Sequence, residues 1–159
     1  MKNLLLFCAV ILYNCAFSQT QTIIYNECIE SIGLNEKDVL VFVLLSSNEI
    51  DSRIIEEKDI KTYNESVKRF AEIYKGKYEI LTSDELDKVT SESNYKYLFN
   101  VNLYLTYGRK LNIRGCGTML LENGTYYSFK KIVGGNIVNT VKEEIQGIEN
   151  CRASNSIKK

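Results

Sequence analysis

The apolar residues of this chain change their period between residues 75 and 95, and that change limits the folds open to it. Ile60, Tyr63, Val67, Phe70, Ala71 and Tyr74 recur at intervals of three and four, which places them on one stripe of a helix. From Tyr95 the interval falls to two. Tyr95, Tyr97, Phe99, Val101, Leu103, Leu105 and Tyr107 then share one face of a strand, and Lys96, Asn100, Asn102, Tyr104 and Thr106 the wetter one, with Leu98 the apolar exception. A helix and a strand that each carry an apolar face need a second layer to cover it, so the chain has to lay helices on a sheet.

The remaining elements follow from the same reading. Thr22 to Gly33 carries Ile24, Cys28 and Ile32 at helical spacing and ends on a glycine suited to a C-cap. Asp38 to Leu45 is a continuous apolar run of strand length, expected to be buried on both faces and central in its sheet. Ser46 to Glu57 is polar and lacks a period, which suits a loop. Lys75-Gly76 closes the long helix, Tyr78 to Leu81 is a short strand, and Thr82-Ser83-Asp84-Glu85 has the form of a capping box opening a second helix through about Ser91. Gly108-Arg109-Lys110 turns into a strand over Leu111–Leu121. Asn123-Gly124 is a two-residue hairpin signal into Thr125–Val133, and Asn136 can cap a last helix striped by Ile137, Val141, Ile145 and Ile148. Arg152 to Lys159 reads as a polar, frayed tail. The expected fold class is α+β, a mixed α/β sandwich: a mixed sheet of about five strands ending in an antiparallel meander, with helices mainly on one face.

The strand, long helix, short strand, capped helix and long strand between Asp38 and Tyr107 resemble a small α/β domain used repeatedly in bacterial cell envelopes. Similar arrangements occur in the N-terminal domain of the Tol-system propeller protein, in the curli-secretion lipoprotein and in the lipoprotein activators of penicillin-binding proteins. The resemblance is one of element order, and it implies a non-catalytic adaptor.

An export signal agrees with such an address. Lys2 supplies a positive n-region, Leu4 to Phe17 is almost unbroken apolar sequence, and Ala16-Phe17-Ser18 places small residues at the −3 and −1 positions of a cleavage site. Residues 1–18 are therefore expected to leave, 19–151 to form one domain and 152–159 to trail from it. A retained anchor needs about 20 apolar residues, whereas this run is shorter and interrupted by Asn14. Asn14 also stands where a lipoprotein signal before Cys15 calls for a small residue. The expected location is periplasmic or secreted, with no membrane span after cleavage.

Composition then excludes chemistries. The chain has 20 basic and 20 acidic residues, so no global field of either sign favours nucleic acid or an anionic membrane. It has no histidine, which removes Ser-His-Asp and Cys-His catalysis and imidazole metal sites. No motif for a metal, nucleotide or other cofactor occurs, and no catalytic residue is nominated. The acidic groups Glu56-Glu57-Asp59, Asp84-Glu85-Asp87 and Glu143-Glu144 are contiguous in sequence, which suits helix ends and solvated faces better than a two-carboxyl cleft.

Three cysteines remain once the leader is gone: Cys28, Cys116 and Cys151. An oxidising compartment favours one disulfide and one spare thiol. Cys116 with Cys151 is the first candidate and Cys28 with Cys151 the second, either being worth about 3–5 kcal/mol by chain entropy. Burial of all three as small apolar side chains is the alternative. Arg114-Gly115-Cys116-Gly117 reads as a bulge or close backbone approach within a strand, or as an arginine-flanked reactive thiol. Tyrosine is abundant, 11 in all. Tyr104 and Tyr126, with Arg114 and Lys130, are candidates for an amphipathic patch taking a protein or glycan partner. Asn64-Glu65-Ser66 and Asn123-Gly124-Thr125 match the glycosylation sequon.

The expected function is an exported, non-catalytic binding or assembly module of the bacterial cell envelope. The alternatives are a small exported hydrolase using carboxylates or a Ser/Lys pair, and a secreted inhibitor or immunity-like protein presenting the loop 46–57.

Overall fold

A computed structural model describes residues 23–25, 34, 37–46, 56–89, 95–105, 111–122, 124–129 and 136–157. Six strands and three helices lie in them: β1 (Ile23–Tyr25), β2 (Val39–Leu44), α1 (Glu57–Phe70), β3 (Lys77–Thr82), α2 (Ser83–Val89), β4 (Tyr97–Leu105), β5 (Leu111–Leu120), β6 (Tyr126–Ser128) and α3 (Ile137–Ile157). One mixed sheet takes all six strands in the order β1-β6-β5-β4-β2-β3. β2 is parallel to both β3 and β4, whereas β4, β5 and β6 form the antiparallel meander, so the α+β class with a mixed sheet holds.

The apolar run of β2 sits between two strands because both its faces are covered. Leu40, Phe42 and Leu44 belong to the main core with Tyr63 and Val67 of α1 and Val141, Ile145 and Ile148 of α3. Phe42 is the centre of that layer, with Tyr74, Tyr78 and Phe99 edge-on at ring-centroid distances of 6.3, 5.5 and 5.2 Å. Val41 and Val43 face the other way with Leu98, against Leu86 of α2, Leu81, Tyr95 and Met119. Leu98, the apolar exception on a face expected to be wet, is thus core. Tyr95, expected on the opposite face, joins it because the strand starts only at Tyr97.

Local signals account for several element ends. The Thr82 hydroxyl accepts from the Glu85 N–H at 3.3 Å, and the Glu85 carboxylate accepts from the Thr82 N–H at 2.8 Å, a reciprocal capping box. Asn136 caps α3 by accepting from the Val138 N–H at 2.9 Å.

Four expectations need correction. Residues 23–25 are strand, not helix: β1 pairs in parallel with β6 (Ile23↔Tyr126, Ile24↔Tyr127, Tyr25↔Ser128), and sheet pairing outweighs the local helical spacing. β6 ends at Ser128, well short of Val133. The β5–β6 hairpin is closed by the bond from the Leu120 N–H to the Thr125 carbonyl, so its turn spans four residues, with Gly124 at φ +69°. Finally, α3 continues through Ile157 in place of a frayed tail. Its last turns are held by buried Cys151 and by Arg152, which donates to both oxygens of Glu149 at 2.8 and 2.6 Å.

Candidate functional site

In parallel sheets flanked by helices, ligands bind beyond the carboxyl ends of the strands, where neighbouring connections diverge. Here that place is the end of β2, between β3 and β4. It is laced by internal hydrogen bonds. The Asn64 side chain accepts from the Leu45 N–H at 2.9 Å and donates to the Leu45 carbonyl at 2.8 Å, continuing the strand ladder with an amide from α1. Ser46 donates through its hydroxyl to Asp84 at 3.0 Å and through its N–H to the Ser83 hydroxyl at 3.2 Å. Asp84 and Glu85, adjacent in sequence, serve different contacts: Asp84 holds the β2 exit and Glu85 its own helix cap. Hydrogen bonds from Thr82, backbone first and side chain second, hold the Glu85 carboxyl below its ordinary value. Of the loop expected to protrude, residues 46–57, the stretch 47–55 lies outside the described residues.

A second polar group is sealed under α3. Glu144 is fully buried, accepting from the Ser128 hydroxyl and from the Phe129 N–H, each at 2.8 Å. The carboxylate therefore secures the end of β6 to the helix that follows it. Beside it stands Cys116, a free and buried thiol. Burial first, and then the neighbouring Glu144 charge, push the Cys116 thiol well above its ordinary value, so the nucleophilic thiolate is suppressed. Tyr63 is raised in the same way, by burial and then by Cys116, and donates its hydroxyl to the Val43 carbonyl at 3.0 Å. No grouping of three or more His, Cys, Asp or Glu side chains suited to a metal ion occurs among the described residues.

The disulfide expected first, Cys116 with Cys151, is not made. Cys116 is a free thiol on β5, buried beside Glu144. Cys151 is disulfide-bonded, and the second candidate, Cys28, lies outside the described residues.

The tyrosine patch is corrected in part. Tyr126, offered as part of a partner-binding patch, is 2% exposed and donates its hydroxyl to the Asn100 carbonyl at 3.0 Å. It lies across Gly117, where a Cβ would collide with the Tyr127 carbonyl and with the Tyr126 ring. Close packing, not partner contact, accounts for this tyrosine. Tyr104 and Arg114 have described backbone positions, while Lys130 falls outside the described residues. The register shifts between Asn102 and Leu103, passing from Gly115 to Ile113, so Arg114 is the residue skipped by a bulge. The glycine-flanked motif thus contains both features that strand glycines signal, a bulge and a close approach.

The sequon at Asn64 is engaged by the fold, since the nitrogen a glycan would take is bonded to Leu45 and Ser66 is buried. Contiguous charge in Glu143-Glu144 concealed the buried partner. The available signal was that Glu144 falls between Val141, Ile145 and Ile148 on the inward stripe of α3.

No helix among the described residues is long and apolar enough to cross a membrane. Comparison with protein-family models, with characterised proteins and with solved structures gives no match.

Proposed function

We propose that the chain is an exported, non-catalytic binding or assembly module of the bacterial cell envelope. One observation carries the reading: Glu144, Asp84 and Asn64, polar side chains at the ends of the strands, are occupied in holding elements together. Glu144 fastens β6 to α3, Asp84 fastens the β2 exit to α2, and Asn64 fastens it to α1. The Cys116 thiol, the candidate nucleophile, is buried and held protonated. These are the features of a scaffold whose interaction chemistry is carried by its surface, and the export signal of residues 1–18 supplies the compartment.

Cell fractionation with N-terminal sequencing tests the address: a chain beginning at Gln19 in the periplasm or medium is expected, and an uncleaved cytoplasmic chain would refute it. Cross-linking in intact cells tests the role. A discrete partner recovered in constant proportion supports the module, whereas turnover of an envelope substrate by the purified chain would replace it with the hydrolase reading.

A further inference from the structure

We infer that β3 is a self-association edge: two copies of the chain join β3 to β3, antiparallel, about a two-fold axis at Tyr78, so that one sheet runs through both. β3 is the outer strand of the sheet, and among the described residues only β2 pairs with it. The other edge, β1, is three residues long, whereas β3 offers six. An open edge of that length presents a row of backbone donors and acceptors that a further strand can complete.

The capping box shows which of these groups point outward. The Thr82 N–H is held by the Glu85 carboxylate at 2.8 Å, so it faces away from β2. Backbone groups in a strand turn to alternate edges, so those of Tyr78 and Ile80 face outward with it, and those of Lys77, Glu79 and Leu81 turn toward β2. Glu85 thus closes the far end of the edge, and Tyr78 and Ile80 are left to receive a partner.

Charge sets the register. Lys77 and Glu79 are both exposed and share one sheet face with Val39 and Val41, their partners on β2. Glu79 is held there by the Tyr95 hydroxyl, which donates to its Oε2 at 2.5 Å. With Tyr78 opposite its own copy, each Lys77 stands across from the second copy's Glu79. These are non-hydrogen-bonded pairs, in which side chains approach most closely. The two contacts are identical, as a two-fold interface requires. Moving the axis to Glu79 would set two carboxylates against each other. Moving it to Ile80 would pair Tyr78 with Thr82, whose N–H is already taken. On the other face the axis brings two Tyr78 rings together. Each already packs edge-on against Phe42 at 5.5 Å and Tyr74 at 6.4 Å, so the aromatic layer continues from one copy into the next. This dimer depends on β3 alone, not on the proposed location or role.

Sedimentation velocity of the full chain, in a concentration series up to about 1 mM, tests it at the weak end of specific association. A monomer–dimer equilibrium is expected. Lys77→Glu or Glu79→Lys alone places like charges in both contacts and should raise the dissociation constant about tenfold. The double variant restores opposite charges and should restore the dimer. An equimolar mixture of the two single variants should also dimerise, because each then meets the opposite charge. A chain that stays monomeric throughout, or a dimer that the single variants leave unchanged, would overturn the assignment. Amide hydrogen exchange on the unsubstituted chain decides the matter even if a variant fails to fold. Exchange at Tyr78 and Ile80 should slow with rising concentration, while Glu79 and Leu81 should not change. The reverse pattern, or no concentration dependence, rejects this edge.

Discussion

The two long helices cover the same face of the sheet but are specified differently. α1 buries Ile60, Tyr63, Val67 and Ser66, and its exposed side is charged, as in the Lys61–Glu65 pair at 3.9 Å. α3 buries Val141, Ile145 and Ile148, but the same inward side also contains Thr140, Glu144 and Cys151. The core accepts α1 because its buried side chains are apolar apart from Ser66, whose hydroxyl donates to the Thr62 carbonyl of the same helix at 2.6 Å. It accepts α3 because particular partners, Ser128 and Phe129 for Glu144 and the Asn136 carbonyl for Thr140, satisfy what is not. An amphipathic helix can therefore be read without its surroundings, whereas a helix with a carboxylate on its buried side is defined by them.

Glu144 is where the contrast should break first. Glu144→Ala leaves a buried hydroxyl and a buried N–H without their acceptor, so stability in urea should fall by about 3–5 kcal/mol. Glu144→Gln, which keeps one acceptor oxygen, should lose less than half of that. A loss below about 1 kcal/mol for the alanine variant would mean that water replaces the carboxylate and that α3 is held by its apolar residues alone.

The corresponding polar contacts of α1 should matter less. Asn64→Ala removes both bonds to Leu45 and should cost about 1–2 kcal/mol, with faster amide exchange at Leu45 as the local sign. Tyr63→Phe removes one donor to the Val43 carbonyl and should cost about 1 kcal/mol. If either exceeded the Glu144→Ala loss, the proposed difference between the helices would be reversed.

Two pH effects sharpen the comparison at its smaller end. At Glu149 burial acts to raise the carboxyl, but hydrogen bonds from Arg152 and the Lys75 N–H, with their charges, outweigh it and hold the group below its ordinary value of 4.5. The stability from this contact is present above that value and is lost as pH falls through the lower folded one. Arg152→Gln should therefore flatten the acid limb of a stability-versus-pH curve measured below about pH 5. Tyr74, just after α1, is pushed up to about 12 by burial first, with Arg152 opposing and Glu149 and Asp38 adding. Its contribution is complete below pH 10 and is lost as pH rises through 12, so Tyr74→Phe should make alkaline unfolding less steep. At pH 7 the same variant should be close to neutral, because the Tyr74 hydroxyl is buried without a hydrogen-bond partner.

Much of the architecture is legible from residue pattern because the patterns are local. The stripe of α1, the apolar run of β2, the Thr82–Glu85 box and the Asn136 cap each require only neighbours in sequence. The meander is legible from its period of two. What could not be read required a partner distant in sequence. β1 is a strand because β6 is beside it, Leu98 is core because α2 covers it, and Tyr126 is buried because Gly117 leaves room for its ring. The candidate patch of Tyr104, Arg114, Tyr126 and Lys130 was drawn from strand parity, which gives the face of a residue but not what lies over it.

The sequence by itself determined that helices must cover a mixed sheet, that histidine chemistry is absent, and that three cysteines follow residue 18. Those properties depend on composition and on spacing over a few residues, which the chain carries wherever it goes. Only the tertiary structure decided that Cys116 stays free while Cys151 is bonded, and that Glu144 is a buried clamp while the adjacent Glu143 is exposed. Thiol pairing and carboxylate burial depend on distances between segments far apart in the chain, and those distances exist only once the sheet order is set.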